Sequence, residues 1–202
     1  MSIPAGPFSA WLRDTRVALK NGTGANVPCG DCTACCSSSY FIHIKPEETE
    51  ALARIGKDAV TQASGLPKGH MLMGYDAEGL CPQMNQGKCA VYAHRPQTCR
   101  IYDCRIFAAA GIRESQDKPR INARVEQWSF DYPTNRDRQE HEAVQAAAAF
   151  IQAHARLFPG GKIPSSPSQL AVLALKVYQV FMEPPGEPEE VVRRIVEASR
   201  AA

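Results

Sequence analysis

The chain has 202 residues, enough for one domain that buries roughly 70% of its unfolded surface and therefore needs no covalent staples to fold. Hydrophobic residues make up 44% and charged residues 22%, which excludes a disordered chain and one built mainly of membrane spans. A formal net charge of +2 leaves no electrostatic footprint that calls for nucleic acid as a partner.

In chain order, residues 1–6 lack the basic stretch and apolar run of a signal peptide. Residues 8–20 place Trp11, Leu12, Leu19 and either Thr15 or Val17 near helical spacing among charges, which predicts a short amphipathic helix. Residues 21–28 read as a Gly/Asn/Thr loop closed by Pro28, a breaker that delivers the chain to its first cysteines. Residues 40–44 (Tyr-Phe-Ile-His-Ile) predict a short strand. A helix from Pro46 to Gly56 follows, with Glu47 and Glu48 in its first turn, where the helix dipole favours acids. Residues 70–75 predict a second strand. The polar, basic stretch after Gly111 and up to Arg124 reads as loop or edge strand. Trp128, Phe130 and Tyr132 alternate, as on one face of a strand or a docked loop packed into the core. Residues 134–158 predict one long helix with Val144, Ala147, Ala148, Ile151 and Ala155 on a buried stripe, and Arg138 and His141 on an exposed face. Another helix starts at Ser166 or Ser168 and runs to about Phe181. Pro184-Pro185-Gly186 breaks it, and a last charged helix covers residues 187–201.

The expected fold class is mainly α. A cysteine-rich metal-binding region with a small β element (residues 21–111) precedes a helical scaffold (residues 112–202), in a single domain over residues 1–202. No stretch approaches roughly eighteen uncharged apolar residues, so no membrane span is predicted and the expected location is cytoplasmic.

That location decides how the cysteines are read. Eight of them would suggest disulfides in a secreted chain, but a reducing cytosol disfavours disulfides, so thiols kept in this number are expected to bind metal or do redox work. All lie between Cys29 and Cys104. The first cluster, Cys29-x2-Cys32-x2-Cys35-Cys36, matches the opening of a ferredoxin-type run, in which one loop wraps a cubane. The same Cys-x2-Cys turn also directs two thiolates at one tetrahedral zinc, about 2.3 Å from each sulfur. Neighbouring side chains of an extended segment point oppositely, so of Cys35 and Cys36 one ligates while the other binds a second metal, bridges, or stays free as a redox thiol.

The second cluster is Cys81-Pro82, Cys89, Cys99 and Cys104. Pro82 has no N–H to compete for sulfur. Gln86-Gly87-Lys88 predicts a tight turn that folds Cys89 back towards Cys81. Cys99, following Pro96, is expected on a helical turn in rough proximity to Cys104. Together the clusters supply enough thiolates for two four-coordinate sites, or for one site with spare cysteines. A four-thiolate centre carries a formal charge of about −2, and burying it requires donors and cations nearby. Arg95 and Arg100, with Lys88 and Arg105, sit among these cysteines and are the candidates to contact such a cofactor. His43 and His94 are secondary ligand candidates.

The order Cys-x2-Cys-x2-Cys-Cys, Cys81-Pro82, Cys89 and then Val91-Tyr92-Ala93-His94-Arg95-Pro96-Gln97-Thr98-Cys99-Arg100 resembles the CxxCxxCC cysteine-cluster family, which includes YkgJ-like proteins and the flagellin lysine N-methylases. The resemblance spans about Cys29 to Cys104 and implies a zinc- or iron-chelating protein. It places Cys29, Cys32, Cys35, Cys36, Cys81, Cys89 and Cys99 at the family's cysteine positions, whereas Cys104 falls where it implies a proline or aromatic residue. It does not cover the helices after about Thr134.

Three functions are weighed. The first is a metal-holding protein with redox or metal-handling duties, in which iron, as an iron–sulfur cluster or as mononuclear iron, is preferred to zinc. Its partner, a protein or a small molecule, is not named by the sequence. The second is a metal-dependent modifying enzyme resembling flagellin lysine N-methylase. Against it stand the lack of a Gly-x-Gly-x-x-Gly after a strand and of a Cys-x3-Cys-x2-Cys radical motif, whose third position is Ser39. The third is a zinc-stabilised interaction module, in which metal only holds the first half folded.

Overall fold

The computed structural model describes residues 2–25, 27, 29–184 and 186–201. Asn26 and Pro28 of the predicted loop, Pro185 of the predicted helix break, and Met1 and Ala202 lie outside the described residues. The first half of the chain runs β1 (Ile3–Pro7), α1 (Phe8–Asn21), β2 (Ile42–Ile44), α2 (Thr49–Ile55), β3 (Val60–Gln62), β4 (Met71–Met73), β5 (Met84–Asn85), β6 (Lys88–Cys89) and α3 (Gln97–Ile101). The second runs α4 (Arg105–Ala110), α5 (Pro119–Val125), β7 (Trp128–Asp131), α6 (Asn135–Ala153), α7 (Pro167–Val177) and α8 (Pro188–Ala201). The fold is mainly α with small sheets, as predicted. No described helix is long and apolar enough to cross a membrane.

The chain divides into two compact units. One comprises Met1–Lys20, Cys104–Gln116 and Asn122–Ala202; the other comprises Asn21–Asp103 and Asp117–Ile121. In the first, helical unit, β1 pairs in parallel with β7, Ile3 opposite Trp128 and Pro7 opposite Asp131. The sequence conceals β1, because Ile-Pro-Ala-Gly-Pro has two residues without an N–H and suits only an edge strand. The alternation of Trp128 and Phe130 is realised in β7, where both are buried and Ser129 and Asp131 are exposed.

Thr134 starts α6 through a reciprocal cap. Its hydroxyl accepts from the Asp137 N–H, and the Asp137 carboxylate accepts from the Thr134 N–H. The Ser9 N–H also donates to that carboxylate, at 2.9 Å. The helix ends at Ala153 rather than Phe158, because the chain tightens into a 3-10 turn at Ala155–Leu157. Val144, Ala147, Ala148 and Ile151 are fully buried as predicted. Here α4, α6 and α7 pack against one another. On these helices Ala109, Ala147, Ala171 and Ala174 are fully buried, as are the larger Phe107 and Leu175.

Two expectations are corrected. His141 is half-buried rather than exposed, since its ring stacks on Phe8 with centroids 4.3 Å apart and bonds the Tyr132 hydroxyl at 2.6 Å. The stretch read as loop or edge strand contains α5, opened by Pro119 at its first position, where the fixed φ is already helical. Ile121 and Val125 are its buried i, i+4 pair. The polar residues around that pair hid the period.

In the second unit β2, β4 and β3 form an antiparallel sheet in that order, with Ile42 opposite Met73 and Val60 opposite Met73. Both predicted strands are present, each three residues long. Ile44 and Met73 form a core with Ala51, Ile55 and Val91, and Cys81 and Cys89 pack against it. The helix predicted from Pro46 begins at Thr49.

Hydrogen bonds from Thr134 and from the Ser9 backbone hold the Asp137 carboxyl down to about 2. A depressed carboxylate stabilises the fold fully above its ordinary value of 3.8 and loses that contribution as pH falls towards 2. Both tryptophans, Trp11 and Trp128, report on this unit. Fluorescence-monitored unfolding should therefore show stability declining through that window. Asp137→Asn should flatten the decline and cost about 1 kcal/mol at neutral pH; an unchanged acid slope would contradict the assignment.

Candidate metal centre

The first cysteine segment is a series of backbone turns. The Cys32 N–H donates to the Cys29 carbonyl at 2.9 Å, and Gly30 supplies the left-handed conformation (φ +54°) inside that turn. Cys35 and Cys36 do not lie in the extended segment expected from the sequence. They lie in the 3-10 turn Cys35–Ser37, where successive side chains diverge by about 120°. The Ser37 and Ser38 hydroxyls brace the turn by donating to the Thr33 and Ala34 carbonyls at 2.8 and 2.6 Å.

Backbone hydrogen bonds join this turn to the second segment. The Cys81 N–H donates to the Cys36 carbonyl at 2.7 Å, and the Ser39 N–H donates to the Gly79 carbonyl at 3.1 Å. Asp76 shapes the approach, its Oδ1 accepting from the Leu80 N–H at 2.7 Å and the Glu78 N–H at 3.1 Å. Beyond Cys81, β5 and β6 form the predicted tight turn. Met84 pairs with Cys89, and Gln86 (φ +48°) and Gly87 (φ +74°) are the two left-handed residues of a two-residue hairpin.

Cys99 lies on α3, which Glu48 and Thr98 fix in place. Glu48 Oε1 accepts from the Gln97 N–H at 2.5 Å and its Oε2 from the Lys45 N–H at 2.8 Å. The Thr98 hydroxyl donates to the His43 carbonyl at 2.6 Å. Sequence reading assigned Glu48 to the dipole of its own helix and did not single out Thr98 or Asp76. The available signal was Pro96, which opens a helix whose first N–H groups need an acceptor.

These elements bring Cys29, Cys32, Cys81, Cys89 and Cys99 into electrostatic range of Cys36. Burial pushes the Cys36 thiol up to about 11, reinforced by Cys81, Cys89, Cys29 and Cys32. Burial likewise pushes Cys99 up to about 12, reinforced by Cys36, Cys81 and Cys89 and opposed by the Arg95 guanidinium. Cys81 is also raised, by burial first and by Cys89 and Asp76 against a bond from the Gln83 backbone. All eight cysteines are free thiols. Among the described residues no three His, Cys, Asp or Glu side chains stand in ligating geometry around one point.

The structure separates the two predicted cofactor-contacting arginines by role. The Arg95 guanidinium lies 3.7 Å over the Tyr92 ring, and its buried Nε has no hydrogen-bond partner among the described residues. Arg100 donates from Nε to the Arg95 carbonyl at 2.7 Å, so it holds the backbone that carries Arg95. The buried Nε orphan beside free, desolvated thiols fits a centre that places negative sulfur there.

His43 bonds the His70 ring, Nε2 to Nδ1, at 2.8 Å, and His94 Nδ1 lies 2.8 Å from the Glu50 carboxylate. Both candidate histidines are thus engaged elsewhere than with the thiols. Cys104 belongs to the helical unit, where it is buried, immediately precedes α4, and accepts the Trp128 indole N–H on its sulfur at 3.2 Å.

A family model described as CxxCxxCC, "putative zinc- or iron-chelating domain", matches residues 28–127. No curated protein and no solved structure matches the chain.

A thiol whose folded pKa is raised stabilises the fold below its ordinary value of 9.0 and loses that contribution as pH climbs through 11 to 12. Metal-stripped protein should therefore weaken in its cysteine unit only above about pH 9. Pulsed alkylation read by mass spectrometry at each cysteine provides the check. Cys36 and Cys99 should react far more slowly at neutral pH than in the unfolded chain, and equal rates would defeat the burial argument.

Proposed function

We propose, from the premise that this chain belongs through residues 28–127 to the CxxCxxCC family, that its cysteine unit holds iron, as an iron–sulfur cluster or as mononuclear iron, and serves redox or metal handling. The observation that carries the reading is the mutual coupling of Cys36, Cys81, Cys89 and Cys99, four thiols drawn from both segments. Near neutral pH, thiols desolvated in this way lose their protons when a cation compensates the charge. Cys29, Cys32, Cys36, Cys81, Cys89 and Cys99 are the proposed ligand set, with Cys35 beside them as a bridging or free thiol. Cys104 is assigned to packing, because its sulfur is held by an indole N–H.

The three-residue spacing of Cys29, Cys32 and Cys35 favours iron, being that of a cluster-wrapping loop. Bound there, iron would supply one-electron chemistry, whereas zinc would supply only a structural clamp. Arg95 would donate towards the Cys99 sulfur and offset its charge, Arg100 would hold Arg95 in register, and Glu48 would keep α3 from carrying Cys99 away. A second reading, a zinc-stabilised module, is favoured by the packing of Cys81 and Cys89 on the Ile44 and Met73 core, where a metal would staple the sheet.

Protein purified without oxygen from iron- and zinc-replete cells separates these readings. A brown protein with iron and acid-labile sulfide supports a cluster, and iron without sulfide supports a mononuclear centre. A colourless protein with stoichiometric zinc overturns iron in favour of the module. A protein free of both metals overturns both.

Removing the Arg95 donor should cost about 10- to 100-fold in metal retention, the usual range for partners that support metal ligands. Arg95→Gln measured against a competing chelator tests this. The exposed Lys57 is the control, and Lys57→Gln should leave retention unchanged.

A further inference from the structure

The helical unit contains a groove of about 640 Å3 between α1, the start of α6 and the end of α7. Five cationic side chains line it: Arg13, Arg16 and Lys20 from α1, Arg136 from α6, and Lys176 from α7. Its one carboxylate, Glu140, is already occupied, accepting from Arg136 Nε at 2.9 Å and from the Tyr178 hydroxyl at 3.2 Å. The groove is thus more positive than the chain as a whole, whose formal charge is +2. Arg13 pairs with Asp14 beside it. Among the described residues Arg16, Lys20 and Lys176 meet no carboxylate.

This concentration of charge opposes the fold. Arg13, Arg16 and Lys20 follow one another at i, i+3 and i+7 on a single stripe of α1, where like charges destabilise a helix. The dipole at a helix C-terminus accounts for Lys20 and Lys176, each in the last turn of its helix, but not for Arg13 and Arg16. Arg16 is held at the groove with its guanidinium 5.3 Å over the Tyr178 ring, which limits its freedom to swing into solvent. Buried Leu12 and Tyr178 supply an apolar floor. The volume is that of a small-molecule site and not of a long track.

We propose that this groove binds a small phosphorylated molecule with two adjacent phosphoryl groups, taken up by Arg16, Lys20 and Lys176. The inference stands independently of the metal reading, since it uses no cysteine. Cations gathered beside an apolar floor, with Arg16 held over Tyr178, favour a compact polyanion, because adjacent phosphoryl groups then meet several positive charges at once.

Inorganic pyrophosphate is the probe, titrated by calorimetry into the full chain at low and at physiological salt. Saturable binding that weakens with salt is expected. The paired reversal Lys20→Glu with Lys176→Glu should lower affinity by about tenfold or more, with tryptophan fluorescence and metal content unchanged. Arg16→Gln provides a variant without charge reversal and should lower affinity less. Lys57→Glu, outside the groove, should leave affinity unchanged. No binding at millimolar pyrophosphate overturns the proposal. So does equal weakening by Lys57→Glu, or an affinity the paired reversal leaves intact, which would assign binding to a metal in the cysteine unit. Tighter binding of a single-stranded oligonucleotide, growing with its length, would replace the small ligand with nucleic acid.

Discussion

The hydrogen bond from the Cys81 N–H to the Cys36 carbonyl, 2.7 Å long, is the contact on which the cysteine unit depends. It is made by backbone, so it positions both sulfur-bearing residues without using either sulfur. Joining residues this far apart costs on the order of 3 kcal/mol in loop closure, and one backbone bond contributes only about 1 kcal/mol. The difference is supplied by the sheet of β2, β4 and β3 and by the burial of Ile44 and Met73 beneath it. The small β element is therefore the device that closes the loop. Cys81 and Cys89 pack on its core, which couples the hydrophobic order of the unit to the placement of its thiols.

Once the segments are joined, charge becomes the governing constraint. Cys36, Cys81 and Cys99 are half-buried within electrostatic range of other thiols, which adds to the cost of ionising them. At Cys99 the Arg95 guanidinium opposes this; the Arg95 carbonyl is bonded by Arg100 and the guanidinium rests on Tyr92. Ionised together, these thiols would carry more negative charge than one guanidinium offsets. Protonation also protects the unit when no ion is present, because a neutral thiol is a poor nucleophile for disulfide exchange.

Local chemistry made the hairpin, the long helix and the buried stripe of α6 legible in the sequence. Gln86-Gly87 can be read as a turn because two left-handed residues must follow one another there, and Thr134 marks a helix start because a hydroxyl can cap it. The family could be read from cysteine order, because spacing is a property of the chain itself. What stayed hidden depends on partners far away in sequence. β1 becomes a strand only by pairing with β7, α5 only by burying Ile121 and Val125, and Glu48 serves α3 from a position adjoining α2. None of these carries a period of its own.

Cys99 and Cys104 show how far spacing can mislead. They are five residues apart and were grouped by proximity, yet their surroundings are of different kinds. Cys99 lies among thiols, on a short helix anchored by polar contacts from Glu48 and Thr98, with a guanidinium that favours its thiolate. Cys104 is 7% exposed and gives a lone pair to the Trp128 indole, in a unit whose core is aliphatic and aromatic. Buried and in contact with that indole, Cys104 is a small packing residue of the helical unit. A metal ligand needs charge compensation as well as sulfur, and at Cys99 the Arg95 guanidinium opposes the cost of burial.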